Sequence, residues 1–267
     1  MSREDVLITA DALAGLGRVH LLDVRWQLGE PAGAGRARYL SGHLPGARFL
    51  DLESVLTRHG EPTDGRHPLP DVATLEGGLG ALGVDGSTPI VVYDEPGSFA
   101  AGRAWWVLRW AGLDVRVLDG GISAWTAEGR PLVSGETPVE PVSLTLTVGG
   151  LPTIDADAVA SFGGTLIDVR APERYRGEVE PIDPVAGHIP GAVNVPVMQF
   201  FDADGRLPPS DRLGELLDRP GPLAAYCGSG VSAAQVVLAA ATLDRAVALY
   251  PGSWSAWCND PDRPVAR

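Results

Sequence analysis

The chain contains no lysine; all 21 of its basic residues are arginine. This excludes Schiff-base chemistry on a lysine amine, and with it pyridoxal phosphate held in the usual way. It also excludes the phosphate-binding lysine of a Walker loop. Cysteine is nearly as scarce, with only Cys227 and Cys258. These two and five histidines fall in no metal-ligand spacing, so neither metal nor cofactor is expected. No run of about 18 apolar residues occurs, so no membrane-spanning helix is expected. The N-terminus, Met1-Ser2-Arg3-Glu4-Asp5, has no apolar signal core. Together with the sparse cysteine this suggests a cytoplasmic, reducing location and no structural disulfide. Positive charge is also short. A net charge of -13 argues against nucleic acid or an anionic membrane as partner. Small anionic substrates stay open, because they respond to the local field of a cleft.

What is present is a chain of 267 residues, 45% hydrophobic, long enough for two ordinary domains. It repeats itself. Val19 to Val24 is an apolar run ending in Asp23-Val24-Arg25, and Thr165 to Val169 ends in Asp168-Val169-Arg170. Ser41-Gly42-His43-Leu44-Pro45-Gly46-Ala47 returns as Ala186-Gly187-His188-Ile189-Pro190-Gly191-Ala192 at the same offset. Pro89 to Asp94 matches Leu223 to Cys227, with Asp94 against the cysteine. Gly120-Gly121-Ile122-Ser123-Ala124-Trp125 matches Gly252-Ser253-Trp254-Ser255-Ala256-Trp257 at a smaller offset. Each half alternates short apolar strands with helical stretches, the pattern of a parallel sheet covered by helices. The chain is therefore read as α/β, with domains over 4–133 and 153–265 and a linker over 134–152. The linker signal is Ser134-Gly135-Glu136-Thr137-Pro138-Val139-Glu140-Pro141. The alternation of Ser143 to Val148 predicts a strand in the connection. Ala100 to Ala111 reads as a helix whose Trp105, Trp106 and Trp110 suit core or interface packing. His43, His188 and the two Asp-x-Arg pairs occur in both halves, so a structural role is favoured for them.

Cys227 stands where a short apolar run, Leu223 to Tyr226, meets Gly228-Ser229-Gly230-Val231-Ser232 and an alanine-rich helical stretch. The reading is strand, tight loop, helix N-terminus. Two glycines let such a loop turn several N–H groups inward as an anion-binding nest. The helix adds its positive end. Both favour thiolate over thiol, and the same N–H groups would hold an anionic substrate or a persulfide. Gly228, Ser229, Gly230, Val231 and Ser232 are accordingly candidate binding residues. A buried, inert cysteine is the bland alternative.

Taken together, these motifs resemble tandem-domain rhodanese-type sulfurtransferases over nearly the whole length. The resemblance implies two rhodanese-like domains, each a parallel sheet flanked by helices. The second carries the cysteine. The first is a non-catalytic relative, since the carboxylate of Asp94 cannot carry a sulfane sulfur. It implies transfer of sulfur from a small anionic donor to Cys227, giving a persulfide, and then to cyanide or a thiol. A thioredoxin-like reductant is a further implied partner.

The loop Cys227-Gly228-Ser229-Gly230-Val231-Ser232 is similar to the Cys-Gly-Ser-Gly-Val-Thr loop of 3-mercaptopyruvate sulfurtransferases. Thiosulfate sulfurtransferases more often carry Cys-Arg-Lys-Gly-Val-Thr, whose cations suit a dianion. The resemblance further implies a relay of Ser229, His67 and an acid, to deliver a proton as pyruvate leaves. The acid is Glu53, where the family usually has Asp; Asp51 is the fallback. Arg174 matches the family's first substrate arginine. The second has Ile182 in its place, with Arg176 or Arg170 as candidate substitutes. Cys258 has no equivalent in the first half and reads as passive. Three competing readings remain. A Cys-x5-Arg phosphatase requires arginine where Ala233 stands. The others are a non-enzymatic persulfide carrier or sensor, and a scaffold with an inert cysteine.

Overall fold

The computed structural model describes residues 1–267. The first half builds a parallel sheet from β1 (Leu7–Ile8), β2 (His20–Asp23), β3 (Arg48–Phe49), β4 (Ile90–Tyr93) and β5 (Val115–Leu118), in the order β1-β5-β4-β2-β3. The second half builds β6 (Thr165–Asp168), β7 (Val193–Asn194), β8 (Leu223–Tyr226) and β9 (Val247–Leu249), also parallel, in the order β7-β6-β8-β9. The central strands β4 and β8 are buried on every residue. That is why they read as unbroken apolar runs rather than alternating ones. No helix is long and apolar enough to cross a membrane.

The repeat seen in the sequence is a repeat of bonds. Tyr93 Oη accepts the N–H of Leu44, and Tyr226 Oη accepts that of Ile189. Arg25 grips Asp23 and the Gly42 carbonyl; Arg170 grips Asp168 and the Gly187 carbonyl. His43 stacks on Tyr39 and bonds its carbonyl, and His188 does the same with Tyr175. These groups hold the turns in place, the structural role favoured for them.

The two sheets share one apolar core. It runs from Val6, Leu22 and Trp106 into Val195, Val236 and Leu249. The helix Ala100–Trp110 lies against the helix Val231–Ala241. Their approach is close: a methyl group on Gly102 would lie 2.5 Å from Gln235 Oε1. Trp105 and Trp106 are fully buried there.

The connection differs from the sequence expectation. Ser143 to Val148 forms no strand. It is a strap laid on the first half: Val142 donates to the Gly80 carbonyl, Leu146 to Glu76 Oε1, and Gly150 to the Trp110 carbonyl. Leu144 and Leu146 are half-buried against the core while their neighbours face solvent. One-sided burial therefore produced the alternation without any sheet partner.

Candidate active site

The site lies where strand ends of the two halves meet. β8 ends at Tyr226 and the chain turns at once into the Cys227 loop. Gly230 caps the next helix at φ +82°. A side chain there would strike the Pro251 carbonyl, 2.5 Å from the methyl position, so only glycine closes this turn. The loop is sewn to the helix Ser253–Trp257. Cys227 N–H donates to Ser253 Oγ, Trp254 N–H to the Cys227 carbonyl and Ser255 N–H to the Gly228 carbonyl. Cys227 Sγ accepts N–H groups of Gly230 at 3.0 Å and Ser229 at 3.4 Å. This is the nest expected from the loop sequence, and it supports negative charge on sulfur.

The cysteine opens into a cleft of about 660 Å³ between the halves. Gly228, Ser229, Val231 and Ser232 line it, with Arg174 from the second half and Trp26 and Phe99 from the first. Ser229 turns its hydroxyl to the first half, where Oγ lies 2.7 Å from His67 Nδ1. His67 Nε2 lies 3.2 Å from Glu53 Oε1. The same carboxylate oxygen accepts the indole N–H of Trp26, and the Trp26 ring stands edge-on to the imidazole. The hydrogen bond to His67 holds the Glu53 carboxyl below its usual range. Asp51 instead caps its own helix, accepting N–H groups of Glu53 and Ser54.

Arg174 is engaged. Its Nε and Nη2 donate to Glu180, and Nη2 also to Asp183. The two candidate substitutes for a second substrate arginine are spoken for: Arg170 by Asp168 and Glu180, Arg176 by Glu178. Ile182 is exposed. Cys258 is buried among apolar residues, and burial pushes its thiol up to about 11.

Two arginines went unread in the sequence. Arg66, adjacent to His67, pairs with Asp183 across the domain junction and lines the same cleft. Arg103 is fully buried and has no carboxylate partner. It donates to the carbonyls of Leu56, His67, Pro68 and Gly230, tying the histidine segment to the cysteine loop. Burial pushes its guanidinium down to about 10. Neither sits in a repeated motif, so no periodic signal marked it.

In the first half, Asp94 takes the place of the cysteine. Its Oδ2 accepts the Ala101 N–H at the start of the following helix, as Cys227 Sγ accepts that of Gly230. Burial pushes its carboxyl up to about 7.

Comparison with known proteins agrees with this layout. The rhodanese-like domain model matches twice, at residues 9–128 and 154–260. A Mycobacterium tuberculosis protein named "Putative thiosulfate sulfurtransferase SseB" is 45% identical, covering 100% of this chain and 98% of its own. The 3-mercaptopyruvate sulfurtransferase of Escherichia coli K12 is 38% identical, covering 85% of this chain and 84% of its own. The crystal structure of SseA from Escherichia coli, titled as a 3-mercaptopyruvate sulfotransferase, superposes with a TM-score of 0.81 at 33% identity. It covers 93% of this chain and 98% of its own. Two parallel sheets, a repeated set of turn bonds and a cysteine nest at the second β-to-α loop therefore place the chain in the rhodanese-like family, as a tandem of two such domains.

Proposed function

We propose that the chain is a sulfurtransferase that moves a sulfane sulfur from a small anionic donor through a Cys227 persulfide to cyanide or a thiol. The observation that carries this is the nest itself: the only thiol in the interdomain cleft, Cys227 Sγ, accepts two loop N–H groups. The loop residues Gly228 and Gly230 allow that approach, and Val231 and Ser232 begin the helix whose positive end faces the sulfur.

3-Mercaptopyruvate is the favoured donor. Cys227 thiolate attacks its sulfur and the S–CH2 bond breaks, leaving a persulfide and the enolate of pyruvate. The donor's S–H proton ends on that CH2 carbon, giving neutral-methyl pyruvate and a persulfide anion, so charge and hydrogen balance. The Ser229 hydroxyl, linked to His67 and Glu53, carries that proton. Cyanide or a thiolate then takes the outer sulfur and returns Cys227 as thiolate. A thioredoxin-like protein fits the thiol role. The loop N–H groups hold the negative charge in every state.

Thiosulfate is the second reading, favoured by the name of the mycobacterial relative. It needs no proton, because sulfite leaves as the anion. The test is kcat/KM for sulfur transfer to cyanide from each donor, with Cys227→Ser as control. A higher value with mercaptopyruvate is expected. A higher value with thiosulfate overturns the donor choice, and absence of cysteine-dependent turnover with both overturns the enzyme reading. The first domain takes no sulfur in this scheme, and Asp94 serves its fold.

A further inference from the structure

The loop after Cys227 carries no cation, and Ile182 stands where a second substrate arginine is expected. Yet the space above the loop is not empty of positive charge. A methyl group placed on Gly228 would lie 2.9 Å from Arg66 Nη2 and 3.5 Å from Arg174 Nη1. Two guanidiniums, one from each half, thus converge on the residue next to the nucleophile.

Each is anchored by carboxylates through other donors. Arg66 Nη1 holds Asp183 Oδ1. Arg174 holds Glu180 through Nε and Nη2, and reaches Asp183 Oδ2 through Nη2 at 3.2 Å. Asp183 and Glu180 side chains are 3% and 4% exposed, so these contacts are made out of water. The two groups that face Gly228, Arg66 Nη2 and Arg174 Nη1, make no hydrogen bond within the protein, and Arg66 Nε is buried without a partner. The carboxylates fix the planes of both guanidiniums and leave one NH2 of each aimed at the cleft. The arginine backbone is fixed as well: Gly65 takes φ +91°, its methyl position lies 2.6 Å from the Gly252 carbonyl, and Arg66 N–H donates to Ser255 Oγ.

We propose that Arg66, supplied by the non-catalytic half, is the second anion-recognition arginine of the active site, and that with Arg174 it clamps the carboxylate of an α-keto acid donor over Gly228. This rests on the donor-transfer reading of the site. The charges favour a carboxylate. Two guanidiniums and two carboxylates sum to zero, so the clamp offers directed N–H donors and little net field. A planar monoanion gains from two aligned donors. A dianion, whose binding depends on net charge, gains less.

The test uses a probe that does not depend on turnover. In a Cys258→Ser background, alkylation by iodoacetate and by iodoacetamide reports access to Cys227 of an anion and of its neutral analogue. Arg66→Ala should lower the iodoacetate-to-iodoacetamide rate ratio about tenfold, the worth of one charge-assisted bond. It should leave the iodoacetamide rate near wild type. The KM for mercaptopyruvate should rise similarly, with the KM for cyanide unmoved. Asp183→Asn breaks the same interdomain pair and keeps both guanidiniums, so its ratio should equal or exceed wild type. A ratio unchanged by Arg66→Ala overturns the assignment. So does an equal fall in Asp183→Asn, which would mean that Arg66 acts only as a strut. Failure of the wild type to turn over either donor would instead overturn the transfer reading, while the alkylation ratio still judges Arg66.

Discussion

Replacing Ser229 by alanine separates the two donors. The substitution removes one hydroxyl, 2.7 Å from His67 Nδ1, and leaves the Ser229 N–H on Cys227 Sγ in place. The support of sulfur charge is therefore intact, and only the proton path is cut. General acid catalysis of this kind is worth about 10²-fold at its lower end, close to 2.7 kcal/mol of barrier. With mercaptopyruvate, the leaving carbon must gain a proton, so kcat should fall about a hundredfold. With thiosulfate, sulfite departs without one, and kcat should stay within about threefold. The assay is thiocyanate formation from each donor at saturating cyanide, wild type against variant. The static effect on binding is removed by comparing kcat rather than KM. Equal losses on both donors would refute the relay and leave Ser229 as a loop residue alone.

Glu53→Gln should lower mercaptopyruvate kcat about tenfold. Because the bond from His67 keeps Glu53 ionised well below neutrality, that gap should stay constant from about pH 5 to 8, and a gap that closes within this range would count against it. Arg103→Met removes donors from four buried carbonyls across the junction and should destabilise the protein by about 2–4 kcal/mol in urea unfolding. It should slow both donors equally, in contrast to Ser229→Ala. Gly230→Ala puts a methyl group into the Pro251 carbonyl and should reduce kcat/KM about a hundredfold with either donor while circular dichroism stays native. Asp94 has a raised carboxyl, so its folded state is favoured at low pH and loses stability as pH rises through about 7. Asp94→Asn should therefore stabilise at pH 8 by about 1–2 kcal/mol, allowing for the partial exposure of the group, and change little at pH 4.

The fold was legible because it is written twice. Asp23-x-Arg25 and Asp168-x-Arg170 are ion pairs that close equivalent strand ends, and each made the other credible. The Cys227 loop was legible because glycine at 230 and an apolar helix start have few other uses. The resemblance implies Ser229, His67 and Glu53, and they stand in one hydrogen-bonded row. Local pattern failed where contacts are long-range. Ser143 to Val148 has strand periodicity, but a strand needs a ladder; here Leu146 N–H goes to the Glu76 side chain, and the flanking Val142 and Gly150 N–H groups go to the carbonyls of Gly80 and Trp110. Arg66 and Asp183 are more than a hundred positions apart in the sequence, and no spacing rule links them. Arg103 stands in the helix of tryptophans with no motif to mark it. Only the packing of one half on the other made its position interior.

The segment from Gly65 to Pro68 has a consequence for how the two copies evolve together. The first copy carries Asp94 where the second carries its nucleophile. Yet its Arg66 N–H donates to the second copy's Ser255 Oγ and its His67 meets Ser229 Oγ, while the Arg66 side chain lines the cleft. The idle copy is thus not free to drift. Insertion of one residue between His59 and Pro68 would move a guanidinium and an imidazole at once, and no change inside the cysteine-bearing copy could restore either. A gene encoding only the second copy would yield a sheet and a loop with half of its surroundings missing. Duplication here has become dependence: the partner that carries no sulfur holds a veto over its transfer.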